Sequence, residues 1–128
     1  MKLHKIVITV GILALISCTQ RQKSPILKIN KEVIDFGQIK SDSVLKVYFE
    51  YQNGGTDSLQ LMNATVDCGC TTVNYKKEKI APGEKGIIEV IYLPKSNNDS
   101  GFVTKNVALM TNASLPIKVI KIKGAVIK

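Results

Sequence analysis

Asp67-Cys68-Gly69-Cys70-Thr71-Thr72 is the segment of this chain best equipped for chemistry. Two thiols stand two residues apart. In an extended strand such residues share a face, with Cα atoms roughly 6.6–6.8 Å apart from a rise of about 3.3–3.4 Å per residue. A disulfide needs about 4.4–6.8 Å, so a fully extended Cys-Gly-Cys lies at the outer limit. Gly69 is expected to close the gap through a positive φ or a bulge. Thr71 completes the motif. Four states of Cys68 and Cys70 are open. They can form a small-ring disulfide that closes almost no loop and so adds little stability. They can cycle between dithiol and disulfide, because strain in a small ring makes it labile. They can hold a soft metal as two thiolates, or remain reduced and buried. Cu(I) suits two thiolates, whereas Zn²⁺ wants four ligands. Met62 and Met110 are the thioethers available to such a site. Asp67 would oppose thiolate formation, and Lys76, Lys77 and Lys79 would favour it.

Several chemistries are closed before any further search. His4 is the one histidine, and it precedes a short apolar run near the N-terminus. Past that run there is no Ser-His-Asp triad, no Cys-His pair and no His-containing metal site. There is no Trp, no paired-carboxylate arrangement and no Gly-rich phosphate loop. The expectation is a non-enzyme with no cofactor, Cu(I) at Cys68 and Cys70 being the one alternative.

The third cysteine has a different setting. Lys2, His4 and Lys5 precede an apolar run from Ile6 to Ile16, and Leu15-Ile16-Ser17-Cys18 closes it. A basic start, a short apolar run and a small residue before the break have the form of a secretory signal. The run is too short for a membrane span of about 20 apolar residues. Its end resembles the lipobox of bacterial lipoproteins, a resemblance that implies cleavage before Cys18 and lipidation of its thiol. Met1 to Ser17 is then the signal peptide, and residues 18–25 are the lipidated Cys and a flexible polar tether. Thr19 is not the Asp of an inner-membrane retention signal, which places the anchor in the outer membrane, facing the periplasm.

Without Lys2 and Lys5 the formal charge of +8 falls to +6. Such a surface attracts anionic lipid or glycan. The lysines are spread along the chain, however, as solvated strand faces and protected edges would be. No basic run is interleaved with aromatics, and a nucleic-acid role is rejected. The expected partners are the membrane, through the anchor, and an envelope protein or glycan.

The elements that must position the cysteines are short and β-rich. Apolar runs at Ile26–Ile29, Val33–Phe36, Val44–Tyr51, Leu59–Val66, Gly86–Leu93, Phe102–Thr111 and Ile117–Ile127 are separated by turn signals. These include Asn53-Gly54-Gly55 and Ala81-Pro82-Gly83-Glu84. No long segment has helical periodicity. About seven short strands in a chain of this length predict an all-β sandwich over residues 26–128. The last strand carries apolar residues on both faces, so it is expected to twist or change partners. Phe36, Phe49 and Tyr92 are the expected aromatic core fillers.

The landmarks also follow a known order: Phe36-Gly37, Asn53-Gly54-Gly55, Cys68-Gly69-Cys70-Thr71, Ile80 to Glu84, Leu93-Pro94, Thr111-Asn112, then Gly124-Ala125. This order resembles the bacterial CGCT-motif domain of unknown function. The resemblance implies an immunoglobulin-like sandwich of the spindle–hydin type, common among lipoproteins, and implies no activity. Fold alone does not give function. The reading is a lipid-anchored binding or assembly module of the cell envelope, with thiol redox or Cu(I) handling as the competing class.

Overall fold

Alternation along β3 (Leu45–Asn53) shows how the sequence makes a sheet with one wet face. Phe49, Tyr51 and Asn53 are buried, while Lys46, Tyr48 and Glu50 face solvent. Period-two patterning of this kind fixes the register, because a one-residue slip would turn the apolar set outward. The computed structural model describes residues 18–128; the signal-peptide reading of Met1 to Ser17 lies outside the described residues.

Seven further strands complete the domain: β1 (Leu27–Ile29), β2 (Val33–Lys40), β4 (Leu61–Val66), β5 (Thr71–Tyr75), β6 (Lys85–Tyr92), β7 (Gly101–Thr111) and β8 (Ile117–Ile127). A short 3₁₀ helix, Pro94–Asn97, precedes β7. One sheet has the order β1-β3-β6-β5 and the other β2-β8-β7-β4. All pairings are antiparallel except β2 with β8, which is parallel. The all-β sandwich is as expected, with eight strands rather than seven. The extra one is β5, which the sequence presents as a mere continuation of the cysteine motif.

The core lies between the sheets. Phe49, Leu59, Leu61, Ile88, Val90, Tyr92, Leu109 and Ile120 are all but sealed from solvent. Phe49 and Tyr92 fill it as expected. Phe36 packs at its margin, its ring 5.9 Å from that of Tyr92. Tyr51 is a further buried aromatic that patterning did not single out.

In β8 the apparent two-sidedness has a local cause. Ile120 and Ile122 face the core, whereas Ile117, Val119, Lys121 and Lys123 face outward. Past Gly124 the phase changes, and the adjacent residues Ala125 and Val126 are both buried. The neighbouring strand shifts register between Asp35 and Gln38, where Gly37 takes φ +71°. A Cβ on Gly124 would collide with the Phe36 ring and lie 2.7 Å from the Gly37 carbonyl oxygen. The two sequence landmarks Phe36-Gly37 and Gly124-Ala125 therefore form one bulge contact.

The other landmarks meet too. Asn53 is wholly buried and joins two loops at what we call the upper end. Its Nδ2 donates to the carbonyls of Asp57 (2.6 Å) and Ile80 (3.1 Å). Its Oδ1 accepts from the N–H groups of Gly55 (3.0 Å) and Ile26. The Gly83 N–H donates to the Asn53 carbonyl at 2.7 Å. The chain is already fixed at Ser24, whose carbonyl accepts from Thr56 N–H at 2.9 Å. The β7–β8 turn lies at this same end. The lower end holds the β2–β3 and β4–β5 connections and the 3₁₀ helix.

Candidate functional site

The β4–β5 connection carries the chain from the edge of one sheet to the edge of the other. Cys68 to Thr71 form a tight turn there, with Thr71 N–H donating to the Cys68 carbonyl at 3.2 Å. The turn shortens the Cα–Cα distance to 5.2 Å, and Cys68 and Cys70 are joined by a disulfide. Gly69 does this without a positive φ, the first of the two routes expected, and a Cβ at Gly69 would meet nothing within 4 Å. The contraction comes from the turn itself. Cys70 is buried and its carbonyl accepts from Leu93 N–H at 2.9 Å. Cys68 is half-buried and Gly69 exposed. The Thr71 hydroxyl lies 3.7 Å from the Cys70 Sγ and is buried with it.

The Asp67 carboxylate is engaged by β7. It accepts from both the backbone N–H (3.1 Å) and the side-chain Nδ2 (2.8 Å) of Asn106, tying the turn to that strand. Met62 and Met110 are exposed on the sheet's outer surface. Among the described residues no group of three or more His, Cys, Asp or Glu gathers as metal ligands would. In the disulfide form neither sulfur carries the thiolate charge that a soft metal needs. The set present does not fit Cu(I) in this form.

Sequence reasoning missed the polar cluster beside this turn. Lys105 is buried, contrary to the view of the lysines as solvated. Its Nζ lies 2.8 Å from Asp99 Oδ2 and 5.5 Å from the centre of the Tyr92 ring. Tyr92 donates its hydroxyl to Asp99 at 2.5 Å, and Asn97 Nδ2 donates at 2.8 Å. Burial pushes the Tyr92 hydroxyl pKa well above its ordinary value, and the Asp99 hydrogen bond and charge add to this. For Asp99, burial acts upward. The hydrogen bonds from Lys105, Tyr92 and Asn97, with the Lys105 charge, outweigh it and hold the carboxyl below its usual range. One sequence signal could have found the cluster: Lys105 falls on the apolar phase of β7, in step with Val107 and Leu109.

The sheet edges differ in availability. β1 is three residues long, and β2 and β4 are both interrupted by register shifts. Such features blunt an edge. β5 pairs with β6 in unbroken register from Thr71↔Tyr92 to Tyr75↔Ile88 and carries no charge and no Pro. Because Leu93 bonds to Cys70, antiparallel alternation assigns Thr72 and Asn74 to bonding with β6. The backbone groups of Val73 and Tyr75 then point outward, to the free edge.

Cys18 is exposed and takes no part in a disulfide. Among the described residues no helix is long and apolar enough to cross a membrane.

Two four-stranded sheets, with β2 added parallel to the last strand, make an immunoglobulin-like sandwich similar in fold to PapD-like domains. The PapD-like domain of human CEP192 superposes with a TM-score of 0.67 at 10% identity, over 91% of this chain and 96% of that one. Within that class the chain belongs to the family described as protein of unknown function (DUF1573), whose model matches residues 27–126. A protein of unknown function from Porphyromonas gingivalis W83 is similar in fold, with a TM-score of 0.71 at 20% identity over 80% of this chain. This chain spans 47% of that protein's length. The YadV chaperone is similar over 80% of this chain and 52% of its own, with a TM-score of 0.59 at 15% identity. None of the curated proteins matches the chain.

Proposed function

We propose that this domain is a non-enzymatic binding module of the cell envelope, held to the outer membrane by lipid on Cys18. It takes an extended segment of another envelope polypeptide onto the free edge of β5. The observation that carries this reading is the contrast among the edges: β5 alone of the four is both unbroken in register and longer than three residues. Its backbone would supply affinity, and the flanking side chains Thr72 and Asn74 would supply selectivity, as in strand addition generally. The fold shared with YadV and with the periplasmic chaperone SfaE supports a binding role.

Photo-crosslinking in the native cell tests it. A photoreactive residue at Asn74 is expected to give a discrete adduct, and one at Tyr48, in the middle of the same sheet, none. Val73→Pro should abolish the Asn74 adduct while the domain stays folded, since proline is tolerated at an outward-facing edge position. An adduct that survives Val73→Pro would sink the β5 assignment. Intact mass of the membrane-extracted protein reads the acyl chains on Cys18 directly. A precursor that accumulates uncleaved in Cys18→Ser would agree with the anchor.

A second reading is favoured by one observation: Cys68 is half-buried beside exposed Gly69, so a thiol has a route to its sulfur. Alkylation and mass after mild reductant distinguish the two. A pair that opens readily, and takes up Cu(I) once open, would favour thiol or metal handling.

A further inference from the structure

We infer that the upper end of the domain is itself a membrane-contact surface, which seats the sandwich on the anionic face of the bilayer that holds its anchor. This rests on the reading of Cys18 as the lipidation site. The first observation is an apolar groove of about 420 Å³ between the N-terminal segment and the β7–β8 turn, lined by Pro25, Ile26, Leu27, Ala113, Leu115 and Ile117. Leu115 is 83% exposed, Ile117 60% and Ile26 45%. Large apolar side chains gathered at one place on a surface mark a site of contact.

The exposure of Leu115 is not slack in a loop. Thr111 N–H donates to the Pro116 carbonyl at 2.7 Å, and Ala113 N–H donates to the Thr111 hydroxyl at 3.1 Å. Asn112 locks the turn to the neighbouring loop. Its Oδ1 accepts from Gln60 N–H at 2.8 Å and its Nδ2 donates to the Ser58 carbonyl at 3.0 Å. The turn holds Leu115 outward.

The occupant follows from what enters at this end. Ser24 is bonded to Thr56 and Pro25 lines the groove. The chain from Cys18 to Ser24 spans at most about 22 Å when fully extended. Acyl chains on Cys18 therefore keep the groove close to headgroups. Arg21 and Lys23 line the adjoining hollow that shares Ser24 and Ile26 with the groove, and Lys28 lies over Gly54. None of the three is in an ion pair among the described residues, whereas Lys118, which lines the groove, is paired with Glu32. Asp57 and Glu84 lie in the adjoining loops. Cations beside an apolar tip suit an anionic bilayer, with Leu115 reaching the headgroup–acyl boundary as interfacial apolar residues do. A second copy of the chain would bring the same cations face to face.

The test exploits the absence of Trp. Leu115→Trp places a single reporter at the upper end. Phe102→Trp places one at the lower end, where Phe102 is 95% exposed, so neither disturbs the core. The membrane-extracted proteins are reconstituted into vesicles of phosphatidylglycerol and brominated phosphatidylcholine. With acyl chains confirmed by intact mass, emission at position 115 should shift to the blue and be lost to bromine quenching, while position 102 stays unquenched. Equal quenching at both positions, or none at 115, would overturn the proposal with the anchor intact. A blue shift at 115 without quenching would mean contact with another protein and would overturn it too. If intact mass shows no acyl chain, the anchor reading fails, and quenching of the unanchored protein by the same vesicles then decides the surface alone.

Discussion

Asp99 and Lys105 show what one pair of side chains does for a loop. The loop from Leu93 to Ser100 is held to β6 and β7 chiefly through the Asp99 carboxylate, which gathers Lys105, Tyr92 and Asn97. Asp99→Ala leaves the Lys105 ammonium buried without a counter-charge. It should cost about 3 kcal/mol, the lower end for a broken buried pair, because the loop is at the surface. Urea unfolding measures this. The folded pKa of Asp99 lies below its ordinary value near 3.9. Its stabilising contribution is therefore complete above that value and is lost as pH falls through the lower folded one. Stability measured from neutral pH down past 4 should fall less steeply in Asp99→Asn than in the parent. The disulfide contributes less. A ring closed over two intervening bonds of chain removes about 1.6 kcal/mol of denatured-state entropy by the loop-length relation. Cys68→Ser with Cys70→Ser should lower stability by about 1–2 kcal/mol. A loss well beyond that would reflect the buried position of Cys70 rather than the bond.

At the level of strands, the β2–β8 contact leaves little room for change. Gly124→Ala forces a methyl group into the Phe36 ring and the Gly37 carbonyl. Backbone cannot yield as a flexible side chain can, so the bulge must open. The expected loss is about 1–3 kcal/mol, as for overpacking elsewhere, read as a lower thermal midpoint. Gly69→Ala should be close to neutral, since open space surrounds that site. The contrast explains what the sequence could and could not tell. Alternating apolar residues and Asn-Gly or Pro-Gly turns disclosed the strands, because they report which face is buried. The change of phase at Gly124 depends on a strand some ninety residues earlier; the apolar residues on both faces of β8 signalled an irregularity but not its place or its cause. β5 was obscured by the cysteine motif that precedes it. Lys105 was misjudged because a charged residue reads as solvent-facing unless its counter-charge is seen, and Asp99 sits in a loop that says nothing about where it will reach.

Across the whole molecule, the core joins residues of both sheets without a break, from Ile29 and Phe49 to Leu109 and Ile120. A domain built on one core should unfold in a single step. Far- and near-ultraviolet circular dichroism are expected to give coincident transitions; separated midpoints would mean that one sheet outlives the other. The two ends present different features. The upper end receives the N-terminal segment and presents Leu115, and the lower end presents the cysteine turn and the buried Asp99–Lys105 pair. β7, eleven residues long, separates them by roughly 34 Å at about 3.4 Å per residue.

The parallel pairing of β2 with β8 has a mechanical consequence. Tension entering the domain at Val33 and leaving it at Ile127 pulls these two strands along their length in opposite senses. The bonds of Val33↔Lys121 through Lys40↔Ile127 are then loaded together in shear, instead of parting one after another as in a peeled hairpin. β1, with three residues on β3, should give way first and release the N-terminal segment. The β2–β8 pair should then carry the load until it fails as a unit.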